Sequence, residues 1–210
     1  MARTAPFEAH VERYDAWFER HRATYLSELL AMRAMVPWSG RGLSIGVGTA
    51  RFAAPLGVEV GIDPARAMLA IAARRGIKTV RGIAESLPFG DDTFDYAMSV
   101  TTICFVDDAD RMMKEARRVV RPGGVVVAGF IDLESELGRG YFEHQAENLF
   151  YREARFVSTK DVAELLARAG LAAPQWAQTV TRPLAEMNSI EPMLPGTGKG
   201  AFVVVGATCL

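Results

Sequence analysis

Gly42-Leu43-Ser44-Ile45-Gly46-Val47-Gly48-Thr49-Ala50, followed by Val58-Glu59-Val60-Gly61-Ile62-Asp63, decides how the rest of the chain is read. Residues 43–45 and 58–62 are short apolar runs, and 52–56 between them has the pattern of a helix, so the unit reads strand, helix, strand. The first run ends at Gly46, where the absence of a side chain lets a ligand approach the backbone while the helix start turns free N–H groups toward it. Taken alone, Gly46-Val47-Gly48 is a tight turn and nothing more. The second run ends at Asp63, whose carboxylate is able to accept hydrogen bonds from both hydroxyls of a ribose. With Pro64 behind it, Asp63 also suits a helix cap. Together the turn and the acid point to a nucleoside-bearing cofactor. The dinucleotide fingerprint GxGxxG needs a third small residue where this chain has Arg51, which argues against a nicotinamide-dependent oxidoreductase.

Outward from this unit the alternation repeats. Residues 64–75 read as a helix, 77–80 and 94–99 as strands, 108–120 as a helix and 124–131 as a strand. Val125-Val126-Val127-Ala128 lacks polar alternation, as a strand covered on both faces should. Strands alternating with helices predict a parallel sheet between two helical layers. Residues 158–169 form a further helix, capped by Ser158 or Thr159 and stopped by Gly170. Residues 175–181 and 201–208 bring the predicted strands to seven, and the Pro- and Gly-rich stretch between them reads as a loop long enough for mobility or function.

Two segments stand outside the alternation. Residues 6–36 carry Val11, Tyr14, Trp17 and Phe18 at helical spacing and predict one or two amphipathic helices before Pro37. Residues 132–156 are polar and aromatic, with Tyr141, Phe142, His144, Phe150 and Tyr151, and read as an insertion over a site. The expected organisation is one domain, 1–210: a helical cap (1–41), a cofactor-binding core (42–131), an acceptor-site insertion (132–157) and a closing helix with strands (158–210).

Charge narrows the partners. The 24 Lys and Arg nearly cancel the 25 Asp and Glu, with no block of one sign, which disfavours nucleic acid as a ligand. Cys104 and Cys209 lie far apart without a CxxC or neighbouring His, so they read as reduced thiols and no metal site is expected. No apolar run spans a bilayer, and charges interrupt the first twenty residues, so the expectation is a cytoplasmic protein without membrane insertion.

Gly46-Val47-Gly48 with Ala50 resembles the first motif of class I S-adenosylmethionine-dependent methyltransferases, and the resemblance runs from about Gly42 to Gly170. It is similar to the branch that includes the ubiquinone- and menaquinone-biosynthesis methyltransferases. Gly61-Ile62-Asp63-Pro64-Ala65-Arg66-Ala67-Met68-Leu69 matches the second motif, Gly82-Ile83-Ala84-Glu85-Ser86-Leu87-Pro88-Phe89 the third, and Phe94 to Val100 the fourth strand. Arg117-Arg118-Val119-Val120-Arg121-Pro122-Gly123-Gly124 matches the turn before the fifth strand, a structural feature without chemistry. The resemblance implies a Rossmann-like, doubly wound, seven-stranded α/β fold, mostly parallel, with helices on both faces and an N-terminal helical cap. It implies S-adenosylmethionine as cofactor, with Gly46, Val47, Gly48, Asp63, Pro64 and Met68 around its methionine, ribose and adenine, Ala84 and Glu85 in the adenine pocket, and Ser99 and Val100 toward its ammonium.

Three departures from the family pattern are visible. Ser44 replaces an acid two residues before the first Gly, and Ile83 stands where Asp is frequent. Ala50 replaces a third Gly, which fits a residue already inside the helix at negative φ.

The sulfonium of the cofactor is already electrophilic, so the protein's main task is to align the acceptor and exclude water, and a base is needed only if the acceptor must lose a proton. The acceptor is expected to be a small molecule with an N, O or C nucleophile, between Thr101, Phe105, Tyr141 and His144. Tyr14 reads as core by its spacing, yet an N-terminal helix folded over the cofactor would bring it to the site. His144 reads as a surface residue by default and is otherwise the candidate base. A binding or regulatory protein that methylates nothing is the second reading.

Overall fold

A computed structural model describes residues 4–210, so residues 1–3 of the expected cap lie outside the described residues. The cap comprises α1 (Ala5–Ala9), α2 (Val11–Arg20) and α3 (Arg22–Met35). These are three helices where one or two were expected, because His10 and His21 leave helical geometry (φ −129°, ψ 36° and φ −114°, ψ 47°) and bend the chain twice.

The core runs β1 (Gly42–Ile45), β2 (Val60–Asp63), α4 (Arg66–Arg74), β3 (Lys78–Arg81), β4 (Phe94–Val100), α5 (Ala109–Val119) and β5 (Val120–Ile131). After it come α6 (Glu136–Glu143), α7 (Thr159–Arg168), β6 (Leu171–Thr179), β7 (Leu194–Pro195) and β8 (Phe202–Cys209). The described strands form one sheet in the order β3-β2-β1-β4-β5-β8-β6-β7. The pairs among β1 to β5 are parallel, whereas β8 runs antiparallel to β5 and β6, and β7 antiparallel to β6. The sheet is therefore mixed and eight-stranded rather than seven-stranded. The added strand is the two-residue β7, inside the stretch read as a loop. A Pro-containing pair suits a sheet edge, where a missing N–H costs no ladder bond.

Both faces are covered. Met112, Met113 and Ala116 of α5 pack with Val162, Leu165 and Leu166 of α7 on one side. Ala31 and Met32 of α3 and Leu69 and Ala72 of α4 belong to the apolar layer on the other. Close approach explains Gly129 in β5, since a Cβ there would lie 2.8 Å from Met32 Sδ. The predicted cap of α7 forms as a capping box, Ser158 accepting from Asp161 N and Asp161 accepting from Ser158 N.

Residues 52–56 are not the expected helix but a series of turns. Pro55 has no N–H to bond Arg51 O, so the bonds from Ala54 N to Ala50 O and Leu56 N to Phe52 O stay isolated. The Arg51 carbonyl is taken instead by the Tyr25 hydroxyl at 2.5 Å. Ala50 likewise departs from expectation, lying at φ +65° and fully buried. It takes the left-handed geometry usual for Gly, at a cost of about 1–2 kcal/mol that the surrounding packing must offset.

Candidate functional site

The strand order reverses between β1 and β4, and in a doubly wound sheet the crevice opens at such a point, beyond the carboxyl ends of the strands. Gly46 N and Val47 N both donate to Ile62 O, at 2.8 and 2.9 Å, which folds the turn against the end of β2. Gly46 has φ +68°, and a Cβ on it would meet Thr102 Oγ1 at 2.3 Å. Thr102 is fixed in turn by donating toward Ile45 O and Val100 O. Asp63 Oδ2 accepts from Gly48 N and Oδ1 from Ala65 N, each at 2.9 Å. Asp63 is thus not a cap of α4, whose N-cap position belongs to Ala65 without a side-chain bond. It braces the glycine turn and keeps lone pairs on both oxygens. Burial raises its pKa above the ordinary carboxylate value, and the two N–H bonds oppose that rise.

This turn opens on a cavity of about 240 Å³. Of the residues expected to hold the cofactor, Gly46, Val47, Gly48, Asp63, Pro64, Met68, Ala84, Glu85, Val100 and Tyr14 line it, as do Thr101, Phe105 and Tyr141 from the acceptor side. Ser99 does not. Strand alternation turns Met98 and Val100 into the cavity and Ser99 to the opposite face of β4. His144 does not line it either: it ends α6 on the exposed surface with Nδ1 3.0 Å from Gly140 O, so it is not positioned to serve as a base. Glu85 Oε1 accepts from Asp107 N at 2.8 Å, tying this part of the cavity wall to the approach to α5. Thr101 sits at φ +50° and donates its N–H to Gly129 O, a strained position for a β-branched residue at the exit of β4.

The outer wall is aromatic and comes from the cap and the 132–157 segment. Phe7 of α1 packs on Tyr14, Phe105 and Phe150 with centroids 5.7, 5.0 and 5.4 Å away. Tyr151 continues the wall to Phe105 and Tyr141. Tyr14 also reaches the turn, since a Cβ on Gly48 would lie 3.5 Å from its hydroxyl. The cap is held down by charge: Arg51 pairs with Asp15 of α2 at 2.6 Å and Glu19 at 2.5 Å, and Arg75 pairs with Asp15 at 2.7 Å. The Arg51 that breaks the dinucleotide fingerprint thus clamps the lid.

Sequence reasoning missed Glu28. It lines the cavity from α3, and no hydrogen bond or ion pair reaches it among the described residues. Burial pushes its carboxyl up to about 8. The available signal was a lone charge within Tyr25-Leu26-Ser27-Glu28-Leu29-Leu30. The phenols Tyr14, Tyr141 and Tyr151 that line the cavity with it are held protonated chiefly by burial, to which the Glu28 charge adds for Tyr141, pushed up to about 12.

The methyltransferase domain family matches residues 43–128, the strand–turn–strand unit with the core that follows it. A solved Thermotoga maritima structure, described as an S-adenosylmethionine-dependent methyltransferase and possible histamine N-methyltransferase, shares 45% identity over 98% of both chains with a TM-score of 0.94. The chain belongs to the class I S-adenosylmethionine-dependent methyltransferases. An uncharacterised Methanocaldococcus jannaschii protein is 38% identical over 96% of this chain and 97% of its own. A Bacillus cereus demethylmenaquinone methyltransferase is 31% identical over 58% of each.

The cofactor of this methyltransferase is S-adenosylmethionine, and the residues present fit it. Asp63 keeps free acceptor capacity at the end of β2, and the Gly46–Gly48 turn presents backbone with no Cβ in the way. Among the described residues no helix is long and apolar enough to cross a membrane, and no group of His, Cys, Asp or Glu forms a metal cluster.

Proposed function

We propose that this methyltransferase acts on a small-molecule acceptor held between the cofactor turn and the aromatic wall. The observation that carries the reading is the continuity of one cavity from Asp63 and Gly48 to Phe105, Tyr141 and Tyr151. Asp63 would take the ribose hydroxyls, Met68, Ala84 and Glu85 the adenine, and Gly46 to Gly48 with Val100 the methionine. When bound, the cofactor supplies a methyl group on a positively charged sulfur. The chain's own residues position the acceptor and keep water out: the Arg51–Asp15–Arg75 cluster closes the cap, and Tyr14 bridges cap and turn. A division of labour within one domain goes with this, the cap and the 132–157 segment shaping the acceptor space and residues 42–131 holding the cofactor. The description of the Thermotoga maritima relative as a possible histamine N-methyltransferase supports nitrogen as the attacked atom.

Calorimetry with the demethylated cofactor tests the reading. Binding is expected, and Asp63→Ala should weaken it by about 1.5–3 kcal/mol, the worth of a hydrogen bond to a charged group. No heat with the wild-type protein at millimolar ligand would overturn it.

A further inference from the structure

Glu28 has no structural employment. It makes no hydrogen bond or ion pair among the described residues, and its only resolved influence is burial. An unpaired carboxyl in such a place costs stability that an apolar side chain would not, so its presence calls for a partner that comes and goes. The phenols that line the cavity with it are Tyr14 of α2, Tyr141 of α6 and Tyr151 from the segment beyond. Glu28 and Tyr14 line the same cavity as the glycine turn, and the Tyr14 hydroxyl would lie 3.5 Å from a Cβ on Gly48.

The other charges on the wall are already engaged. Asp63 and Glu85 accept backbone N–H groups, and Arg51, the one cationic side chain among the described lining residues, is bound by Asp15 and Glu19. A cavity with an unengaged carboxyl, no free cation among the described lining residues and walls of aromatic rings favours a cationic guest, which draws the acid into its ionised form and is attracted by the ring faces. An anionic acceptor would be repelled.

Building on the function proposed above, we infer that the acceptor is a small aliphatic amine that enters as its ammonium ion, and that Glu28 binds it and takes its proton. The proton passes from nitrogen to the Glu28 carboxylate, freeing the lone pair. The N–C bond then forms as the S–C electron pair returns to sulfur, leaving a neutral thioether and a methylated ammonium ion. Glu28 afterwards gives its proton to solvent.

The test is calorimetry on the protein saturated with demethylated cofactor, titrated with histamine, phenethylamine and, as an uncharged phenolic probe, catechol. At least one amine should bind, and Glu28→Gln should weaken it by about 10- to 100-fold, the range of one charged hydrogen bond, while leaving affinity for the demethylated cofactor unchanged. In infrared spectra at neutral pH, the protonated C=O band absent from Glu28→Gln should disappear from the wild type when the amine binds. Overturning results are catechol binding with no amine bound, no amine binding at all, equal amine affinity in the variant, or loss of cofactor affinity in the variant, which would assign Glu28 to the cofactor. If Glu28→Gln does not fold, a wild-type C=O spectrum unchanged by bound amine overturns the inference. Failure of the wild type to bind the demethylated cofactor would instead strike the methyltransferase reading itself.

Discussion

Asp63, Glu85 and Glu28 line one cavity, and their hydrogen-bond partners separate their roles. The first two accept backbone N–H groups and fix walls, while Glu28 meets none. Its raised pKa has a consequence for stability. The carboxyl ionises near 4.5 in the unfolded chain and near 8 in the fold, so rising pH between those values favours unfolding. The Tm advantage of Glu28→Gln over the wild type should therefore grow by at least about 3 °C between about pH 5 and pH 8, as a change of about 1 kcal/mol would give in a chain of this length. A pH-independent difference in scanning calorimetry would contradict the assignment. The two turn glycines should also differ. Gly46→Ala combines a left-handed φ with a Cβ 2.3 Å from Thr102 Oγ1, whereas at Gly48 the nearest atom is 3.5 Å away. Gly48→Ala should cost about 1–2 kcal/mol in urea unfolding and Gly46→Ala clearly more. The positions of Gly46, Gly48 and Asp63 were legible because backbone needs restrict residue choice there. Glu28 was not, since only the fold shows that its helix faces a cavity. His144 lay in the right segment but on the wrong face.

At the scale of elements, the cap is held by an ion-pair cluster, by aromatic contacts and by the burial of α3. Burial alone would raise the Asp15 carboxyl, but bonds from Arg75 and Arg51 outweigh it and hold it well below the usual range. A depressed carboxyl stabilises the fold above its unfolded pKa and loses that contribution as pH falls, so the cap should loosen in acid. Asp15→Ala removes the shared partner of two largely buried guanidinium groups, leaving Glu19 to Arg51 and the Thr49 carbonyl to Arg75, and should cost about 2–4 kcal/mol. Limited proteolysis should then cut within residues 5–35 before the core, and an unchanged cleavage pattern would show that aromatic packing alone holds the cap. The cap's helical pattern was readable from Val11, Tyr14, Trp17 and Phe18, but its docking was not. Arg51 and Arg75 are 36 and 60 residues from Asp15, a pairing no local pattern encodes. The turns at 52–56 were misread for a related reason: Phe52, Ala53 and Leu56 carry a helix-like apolar spacing, while Pro55 and the Tyr25 hydroxyl withdraw the bonds a helix needs.

For the whole molecule, a ligand that joins sheet, cap and 132–157 segment should stabilise all three together. Demethylated cofactor at about 100 times its Kd should add about 2.7 kcal/mol, raising Tm by about 5–10 °C in a single transition. Separate transitions for cap and core would show that the cofactor does not couple them. The sequence by itself determined the parallel core and the family, because buried strands, a glycine turn and an acid at a strand end are local demands on residue type. It also marked 132–157 as different in kind. The antiparallel return of β8 between β5 and β6, the eighth strand, the left-handed Ala50 and the gathering of Glu28 and three tyrosines around one cavity were decided only by the tertiary structure. Each depends on which surfaces are brought together across long stretches of chain, and that is fixed by packing of the whole fold rather than by any one segment.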